Sequence, residues 1–340
     1  MSADTPVISC RNAWKIFGAN PEAYLKSMKG DESFEDIRAA GYIAGVRDVS
    51  IEVAKGEMLV IMGLSGSGKS TLVRCFSRLH EITGGVIEVD GQDIGKMSEK
   101  ELIDMRRSKM GMVFQSFGLL PHRTVLENIA FPLEMRGQDK HERRARALEV
   151  IELVGLAGRE EYFPRELSGG QQQRVGIARS LAIEPDIWFL DEPFSALDPL
   201  IRREMQDEFL RLQELLGKTI VFITHDFDEA LRLADRIAIM KDGAVEQCDT
   251  PDKIVLNPAT EYVRKFTEEI EKARVVHAGV LAEPDQKGSG EPVESSATIH
   301  QLARRLLDDP AEYLPVVKNG KSIGAMSRAK AIEVLLGDTQ

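Results

Sequence analysis

The stretch "GLSGSGKST", residues 63–71, decides the fold class of this chain. It matches the phosphate-loop pattern G-x-x-x-x-G-K-[ST] and stands between an apolar run, "MLVIM", and an amphipathic helical pattern, "KSTLVRCFSRL". The alternative is a glycine-rich turn with a chance lysine. Because a strand and a helix flank the stretch, we favour a loop that holds phosphate at the N-terminus of a helix.

The loop also predicts the groups that surround a bound nucleotide. Its glycines let successive backbone amides point at a phosphate. Lys69 would neutralise phosphate charge, and Ser70 would give its hydroxyl to Mg²⁺, which prefers hard oxygen ligands. The residues expected around the nucleotide are Gly63, Leu64, Ser65, Gly66, Ser67, Gly68, Lys69, Ser70 and Thr71. The sequence has no N-K-x-D run for guanine, which favours ATP.

Composition limits the class of partner. Lys and Arg total 44 against 55 Asp and Glu, a formal net charge of -11 that argues against nucleic acid as the main partner. The 3 cysteines are scattered without metal-type spacing, which is typical of a reducing cytosol. Because we find neither a signal peptide nor a run of about 18 apolar residues, we expect a cytosolic protein that can dock on a membrane partner.

Apolar strands alternate with helices in two stretches, from about 46 to 95 and from about 166 to 245, which predicts an α/β fold with a mostly parallel sheet. Between them, residues 96–165 have helical periodicity and mixed charge, and we interpret them as an inserted helical subdomain. A polar, partly helical insert occupies residues 18–45. Residues 271–297 contain "EPDQKGSGEPVESSA" and are expected to be a flexible linker, and residues 298–340 a short α/β appendage.

Three further side chains are candidates for chemistry on the phosphates. The buried-type strand "DIWFLDE" ends in Asp191 and Glu192, a carboxylate pair that is costly to bury unless a cation or substrate is present. Asp191 would hold Mg²⁺ through its water shell, and Glu192 would orient or deprotonate the attacking water. His225 ends the strand "TIVFITHD", where ligands gather in such sheets, although a lone histidine is usually structural. Gln115 follows another apolar strand, and its spacing alone assigns it no role.

A second stretch, "LSGGQQQRVGIARS" at residues 167–180, is also typical of a loop that opens onto the N-terminus of a helix. One ATP needs one such phosphate-binding loop, so a second loop of this kind in the same chain requires its own explanation.

With these parts in this order, the chain resembles the ATP-binding subunits of ABC transporters over about residues 7–250. The matching motifs are "GLSGSGKS" (Walker A), "VFQS" (Q-loop), "LSGGQQQR" (signature), "IWFLDE" (Walker B), "SALD" (D-loop) and "THD" (H-loop). The resemblance implies a P-loop ATPase core at 1–270, with an antiparallel β subdomain, that works as a dimer in which each signature faces the nucleotide of the other chain.

The resemblance also implies roles for single residues. Phe17 would stack on adenine, unless that aromatic belongs to the core instead. Gln115 would sense Mg²⁺ and water, Glu192 would be the base, and His225 would contact the γ-phosphate. The remaining implied residues are Ser168, Gly169, Gly170 and Gln171 for the opposing nucleotide, and Asp198 for communication between the sites.

The motifs "MVFQSFGLLPHRTVLENIAF" and "FSALDPLIRREMQDE" are similar to those of the glycine betaine and proline betaine uptake subfamily. That similarity implies an importer ATPase for methylated amine osmolytes, with choline, carnitine and trimethylamine N-oxide as further possible cargoes. The subfamily's long members end in paired CBS modules, whereas the tail here is long enough for only part of one module. A packing or dimer-contact appendage is the alternative for the tail.

The family implies a transmembrane permease, a second ATP-binding subunit that is either a copy of this chain or a different ATPase chain, and indirectly a solute-binding protein. It also implies that the chain is peripheral on the cytoplasmic side of the inner membrane. The apolar run that follows Gln115 predicts a docking surface, unless it folds onto the helical subdomain. Alternatives for function are an importer of another small solute such as an amino acid, or a soluble ABC ATPase of DNA repair or translation.

Overall fold

The computed structural model describes residues 5–30, 32–114 and 118–337, and the chain forms two units, residues 1–245 and 246–340. In the first unit, the strands and helices are β1 (Ile8–Phe17), α1 (Pro21–Ser27), α2 (Phe34–Ala39), β2 (Ile43–Val53), β3 (Met58–Met62), α3 (Lys69–Phe76), β4 (Gly84–Val89), β5 (Gln92–Asp93), α4 (Glu99–Lys109), β6 (Met110–Val113), α5 (Val125–Met135), α6 (Lys140–Leu153), α7 (Gly169–Leu181), β7 (Ile187–Asp191), α8 (Pro199–Leu216), β8 (Thr219–Thr224), α9 (Phe227–Leu233), β9 (Arg236–Lys241) and β10 (Ala244–Asp249), the last of which begins in this unit and ends beyond it.

A mostly parallel sheet forms the centre of the first unit. Its strand order is β10-β9-β3-β8-β7-β6, and the pairs from β9 to β6 are all parallel. Every residue of β3, β7 and β8 is buried. Strands buried on both faces have continuous apolar sequences instead of alternating ones, which is why "MLVIM", "IWFLD" and "TIVFIT" contain almost no polar residue.

A second sheet, in the order β2-β1-β4-β5, is antiparallel throughout. The insert between β1 and β2 forms the two short helices α1 and α2. The predicted α/β fold with a parallel sheet and an antiparallel β subdomain is confirmed.

The helical region differs in its limits from the expected 96–165. Inside this range, β6 belongs to the main sheet, where it pairs with β7. Beyond the range, the helix α7 packs against α5 and α6. The region extends beyond residue 165 because α7, which starts within the signature stretch, packs against its helices.

The second unit contains α10 (Pro251–Leu256), α11 (Glu261–Thr267), α12 (Lys272–Val275), β11 (Ala282–Glu283), β12 (Val293–Glu294), α13 (Ala303–Asp308), β13 (Tyr313–Lys318), β14 (Lys321–Ser327) and α14 (Arg328–Leu336). Its sheet has the order β11-β14-β13-β12, in which only β12 and β13 are parallel. Asn319 and Gly320, with φ of 51° and 74°, form the tight turn of the expected hairpin between β13 and β14.

Residues 271–297 are folded in the structure, in place of the expected linker. Ala273, Val276, Ala278 and Val293 are buried in the apolar core of the second unit. Gly288 is part of this packing, because a Cβ there would lie 2.4 Å from the backbone nitrogen of Pro315. Glycine in this run allows a close backbone approach, whereas composition alone indicated flexibility. The boundary between the units accordingly falls after residue 245 and not after 270.

Among the helices described, none is both long enough and apolar enough to cross a bilayer.

Candidate nucleotide-binding site

The phosphate loop joins the end of β3 to the start of α3. Gly68 is the N-cap of α3 with φ of 100°, and a Cβ at this position would lie 2.1 Å from the carbonyl oxygen of Gly45. Only glycine fits there without a backbone shift. The hydroxyl of Ser67 is buried and has no hydrogen-bond partner among the described residues. A buried orphan hydroxyl in such a loop is suited to a ligand oxygen.

The Lys69 side chain folds over the same loop. Its Nζ donates to the carbonyl oxygens of Gly63 (2.8 Å) and Leu64 (3.0 Å). Burial lowers the pKa of this ammonium, and the carboxylates of Glu192 and Asp191 partly oppose that shift. Among the described residues, the hydrogen bonds of this buried cation go to neutral carbonyl oxygens, so it can move onto an anionic ligand at small cost.

Ser70 and Asp191 meet at the end of the sheet. The Ser70 hydroxyl donates to Asp191 Oδ1 at 2.9 Å, and Asp191 is 7% exposed. Burial raises the pKa of the Asp191 carboxyl, while the Ser70 hydrogen bond and the charges of Arg74 and Lys69 act in the other direction. A buried carboxylate beside a hydroxyl is an oxygen donor set that Mg²⁺ prefers, and a cation would remove the cost of burying the charge.

Glu192 and His225 follow the ends of two adjacent strands, β7 and β8. Glu192 has φ of 46°, and its backbone N–H donates to Ile223 at 3.1 Å. A left-handed backbone at a residue other than glycine turns the chain sharply, and such strain is concentrated at functional sites. Nδ1 of His225 is hydrogen-bonded to Oε2 of Glu192 at 3.0 Å. The two candidate catalytic side chains therefore form one hydrogen-bonded pair.

One cavity of about 660 Å³ unites most of these groups. It is lined by Phe17, Phe34, Ile43, Ala44, Gly45, Leu64, Ser65, Gly66, Gly68, Lys69, Ser70, Thr71, Glu192 and His225. The phosphate loop and the Glu192–His225 pair thus share one open space.

Phe17 lies in the wall of this cavity and is 37% exposed. Its ring makes an edge contact with His80, with the centroids 5.7 Å apart, and Lys15 Nζ lies 4.9 Å from the ring centre. The structure thus places this aromatic at the site and not in the core.

The signature residues are not among the described residues that line the cavity. Ser168 caps α7, and Ser168 and Gln171 form a reciprocal capping box in which each side chain accepts from the other residue's backbone N–H. A Cβ on Gly170 would lie 2.8 Å from the Ile201 side chain, so glycine lets α7 approach α8 closely. Asp198 caps α8 by accepting from Ile201 N. Ser168 and Asp198 thus cap two helices that pack together, and neither is among the described residues that line the cavity.

Gln115 lies outside the described residues, and the structure ends the preceding strand at Val113.

The sequence reasoning missed four residues of the cavity wall: Phe34, Ile43, Ala44 and Gly45. All come from the insert 18–45 or its junction with β2. One signal was present, since Ile43 and Ala44 begin an apolar strand pattern that has to pair with the strand ending in Phe17.

Comparisons with known proteins agree with this geometry. The family model described as ABC transporter matches residues 46–195. The chain is 79% identical, over 98% of both chains, to the trimethylamine N-oxide transport system ATP-binding protein of Ruegeria pomeroyi. It is 48% identical to the glycine betaine/proline betaine transport system ATP-binding protein of Escherichia coli, over 94% of this chain and 80% of that one.

Among solved structures, it is similar to a dimeric ATP-binding cassette in a post-hydrolysis state bound to ADP and Pi. The TM-score is 0.60 and the identity 35%, over 72% of this chain and 98% of that one.

Proposed function

The chain belongs to the ATP-binding subunits of ABC transporters, and from this premise we propose that it powers the import of trimethylamine N-oxide or a closely similar methylated amine. The cavity supports the ATPase part of this proposal, because it combines a phosphate loop with a carboxylate–imidazole pair. The cargo is supported by the 79% identity to a trimethylamine N-oxide system, against 48% to a betaine system.

Glu192 acts as the base in the proposed reaction. Water attacks the γ-phosphorus of ATP, its proton passes to a carboxylate oxygen of Glu192, and ADP leaves with the bridging oxygen. His225 contacts Oε2 of Glu192 through Nδ1 at 3.0 Å and thereby orients that carboxylate beside the γ-phosphate. The left-handed backbone at Glu192 turns the side chain out of the strand into the cavity.

Ser70 and Asp191 hold Mg²⁺ in this proposal, with Gln115 as a further ligand. The ion supplies charge neutralisation for the phosphates when it is bound. Lys69 adds a second cation from the phosphate loop. Burial destabilises the charged forms of both Lys69 and Asp191. The arriving phosphates would stabilise the charged Lys69, and Mg²⁺ would stabilise the charged Asp191.

A second copy of the chain completes each site. Ser168, Gly169 and Gly170 lie at the positive end of the 13-residue helix α7, and they are not among the described residues that line the cavity of their own chain. In the proposed dimer they face the γ-phosphate held by the partner copy, so ATP bridges two subunits and favours the closed state. The dimeric form of the solved ATP-binding cassette supports this arrangement.

The permease would dock on the loop that precedes α5. The buried Asn128 side chain fixes this loop, since its amide donates to the carbonyl oxygens of Leu120, Arg123 and Thr124 and accepts from Leu120 N–H at 2.8 Å. These bonds hold residues 118–124, which include the half-buried Leu119 and Leu120 and are a suitable platform for another protein. The chain is then peripheral on the cytoplasmic face of the inner membrane, and a solute-binding protein delivers the cargo outside.

Transport in vesicles tests the proposal. The chain and its permease are reconstituted with the solute-binding protein outside and ATP inside, and uptake of labelled trimethylamine N-oxide, glycine betaine and choline is compared. We expect the greatest kcat/KM for trimethylamine N-oxide, and no ATP-dependent uptake with Glu192→Gln. Preferential uptake of an amino acid, or recovery of the chain only with ribosomes or DNA, would refute it.

A further inference from the structure

The insert at residues 18–45 is firmly attached next to the nucleotide cavity. The rings of Tyr24 and Tyr42 are stacked with centroids 3.9 Å apart, and the Tyr42 hydroxyl donates to the carbonyl oxygen of Ala19 at 2.7 Å. Ile37 of α2 is fully buried. A Cβ on Gly84 would lie 2.6 Å from Leu25, so α1 packs directly on β4. Both helices therefore have fixed positions.

The insert places apolar side chains opposite the phosphate loop. Ile43 is the direct cross-strand neighbour of Phe17 in the β1–β2 pair, and directly opposed residues point to the same face of a sheet. Phe34 begins α2, whose start is fixed by a capping box between Ser33 and Asp36. Phe17, Phe34 and Ile43 all line the cavity that contains Lys69 and Ser70.

This apolar wall is unusually open. Ile43 is 63% exposed and Phe17 37%, although the chain has enough core to bury such side chains. Every cavity-lining residue contributed by positions 17–45 is apolar or glycine. An exposed apolar surface of this kind next to a phosphate site suits the flat face of a nucleobase.

We propose that the insert completes the base-binding surface of the site, with Phe34 covering the adenine from α2 while Phe17 and Ile43 form its platform. This inference rests on the proposed ATPase function and adds a residue that holds the base. Phe34 acts on the base alone, because the phosphate contacts come from the loop at residues 63–71.

The test compares a ligand that has a base with one that lacks it. ATPase activity of the full chain is measured for the wild type and Phe34→Ala, with inorganic pyrophosphate as the competitive inhibitor. A base–aromatic contact is worth enough to raise the KM for ATP about tenfold. The kcat and the inhibition constant of pyrophosphate should stay unchanged.

Two control variants separate a contact with the base from a general loss of structure. Phe34→Tyr keeps the ring and should restore the KM. Ile103→Ala removes an apolar side chain that is 40% exposed on α4 and does not belong to the cavity wall, and it should leave every constant unchanged.

An unchanged KM in Phe34→Ala would overturn the proposal. A pyrophosphate constant that rises as much as the KM would overturn it as well, because Phe34 would then act through the fold of the loop. If the wild type itself failed to hydrolyse ATP, the proposed function would fail. A wild type that hydrolyses ATP beside a Phe34→Ala variant with normal KM refutes only the role of the insert.

Discussion

Asn128→Ala should destabilise the first unit through the loop before α5. Asn128 is fully buried, and its side-chain amide accepts from Leu120 N–H and donates to the carbonyl oxygens of Leu120, Arg123 and Thr124, at distances of 2.8 to 3.1 Å. An amide has only two N–H donors, so one of them is shared between two acceptors. The substitution removes about three net hydrogen bonds.

The magnitude follows from these bonds. At about 1 kcal/mol for each net hydrogen bond, the free energy of unfolding should fall by about 3 kcal/mol. For a unit of this size, each 1 kcal/mol shifts Tm by about 2–4 °C, so we expect a decrease of about 6–12 °C. Because the loop is the proposed platform for the permease, ATP hydrolysis by the assembled transporter should also become less dependent on solute.

Differential scanning calorimetry measures the thermal effect, with Gln138→Ala as the control, since that variant removes an exposed amide before α6. A Tm for Asn128→Ala within about 2 °C of the wild type would contradict this prediction and show that water replaces these hydrogen bonds at no cost.

Three further changes have distinct expected results. Ser168→Arg should leave ATP binding to the single chain intact, as measured by titration calorimetry, and abolish hydrolysis, as measured by phosphate release. Ser168→Thr is the control, because it keeps the cap and should keep the activity. Hydrolysis by the arginine variant would mean that this residue only caps α7. Val276→Asp introduces a charge into the core of the second unit and should lower its free energy of unfolding by more than about 3 kcal/mol. Residues 246–340 should then become sensitive to limited proteolysis. If Val276 belonged to a flexible linker, the sensitivity to proteolysis would not change. The hydrogen bond to Asp252 raises the pKa of His277. The contribution of this pair to stability should therefore be complete below about pH 6.5 and lost as pH rises through the folded pKa. The difference in Tm between wild type and His277→Gln should shrink from pH 6 to pH 8, and a constant difference would exclude this linkage.

The sheet and the phosphate loop were predictable because their sequence patterns have single physical causes. The runs "MLVIM", "IWFLD" and "TIVFIT" are continuous because those strands are buried on both faces. The glycine at 68 is required by its φ of 100° and by the carbonyl of Gly45 next to it. In both cases local sequence and tertiary packing impose the same residue types.

Two features could not be predicted, because they depend on contacts between distant residues. The glycine at 288 is indistinguishable by composition from a linker glycine, and only the approach of Pro315 gives it a packing role. Phe34 belongs to the wall of the cavity because Tyr42, Tyr24 and Ile37 fix the insert, and none of those contacts has a periodic pattern.

Glu192→Gln separates the role of Glu192 as proton acceptor from the binding of ATP. General-base catalysis contributes about 10²–10⁴-fold, so this variant should bind ATP with the wild-type affinity while its kcat falls at least about 100-fold. The glutamine keeps the shape of the side chain and a hydrogen-bond partner for His225, so the loss would report the proton acceptor itself. Steady-state ATPase activity and ATP affinity are measured on the same preparation. Wild-type turnover in Glu192→Gln would show that Glu192 is not the base.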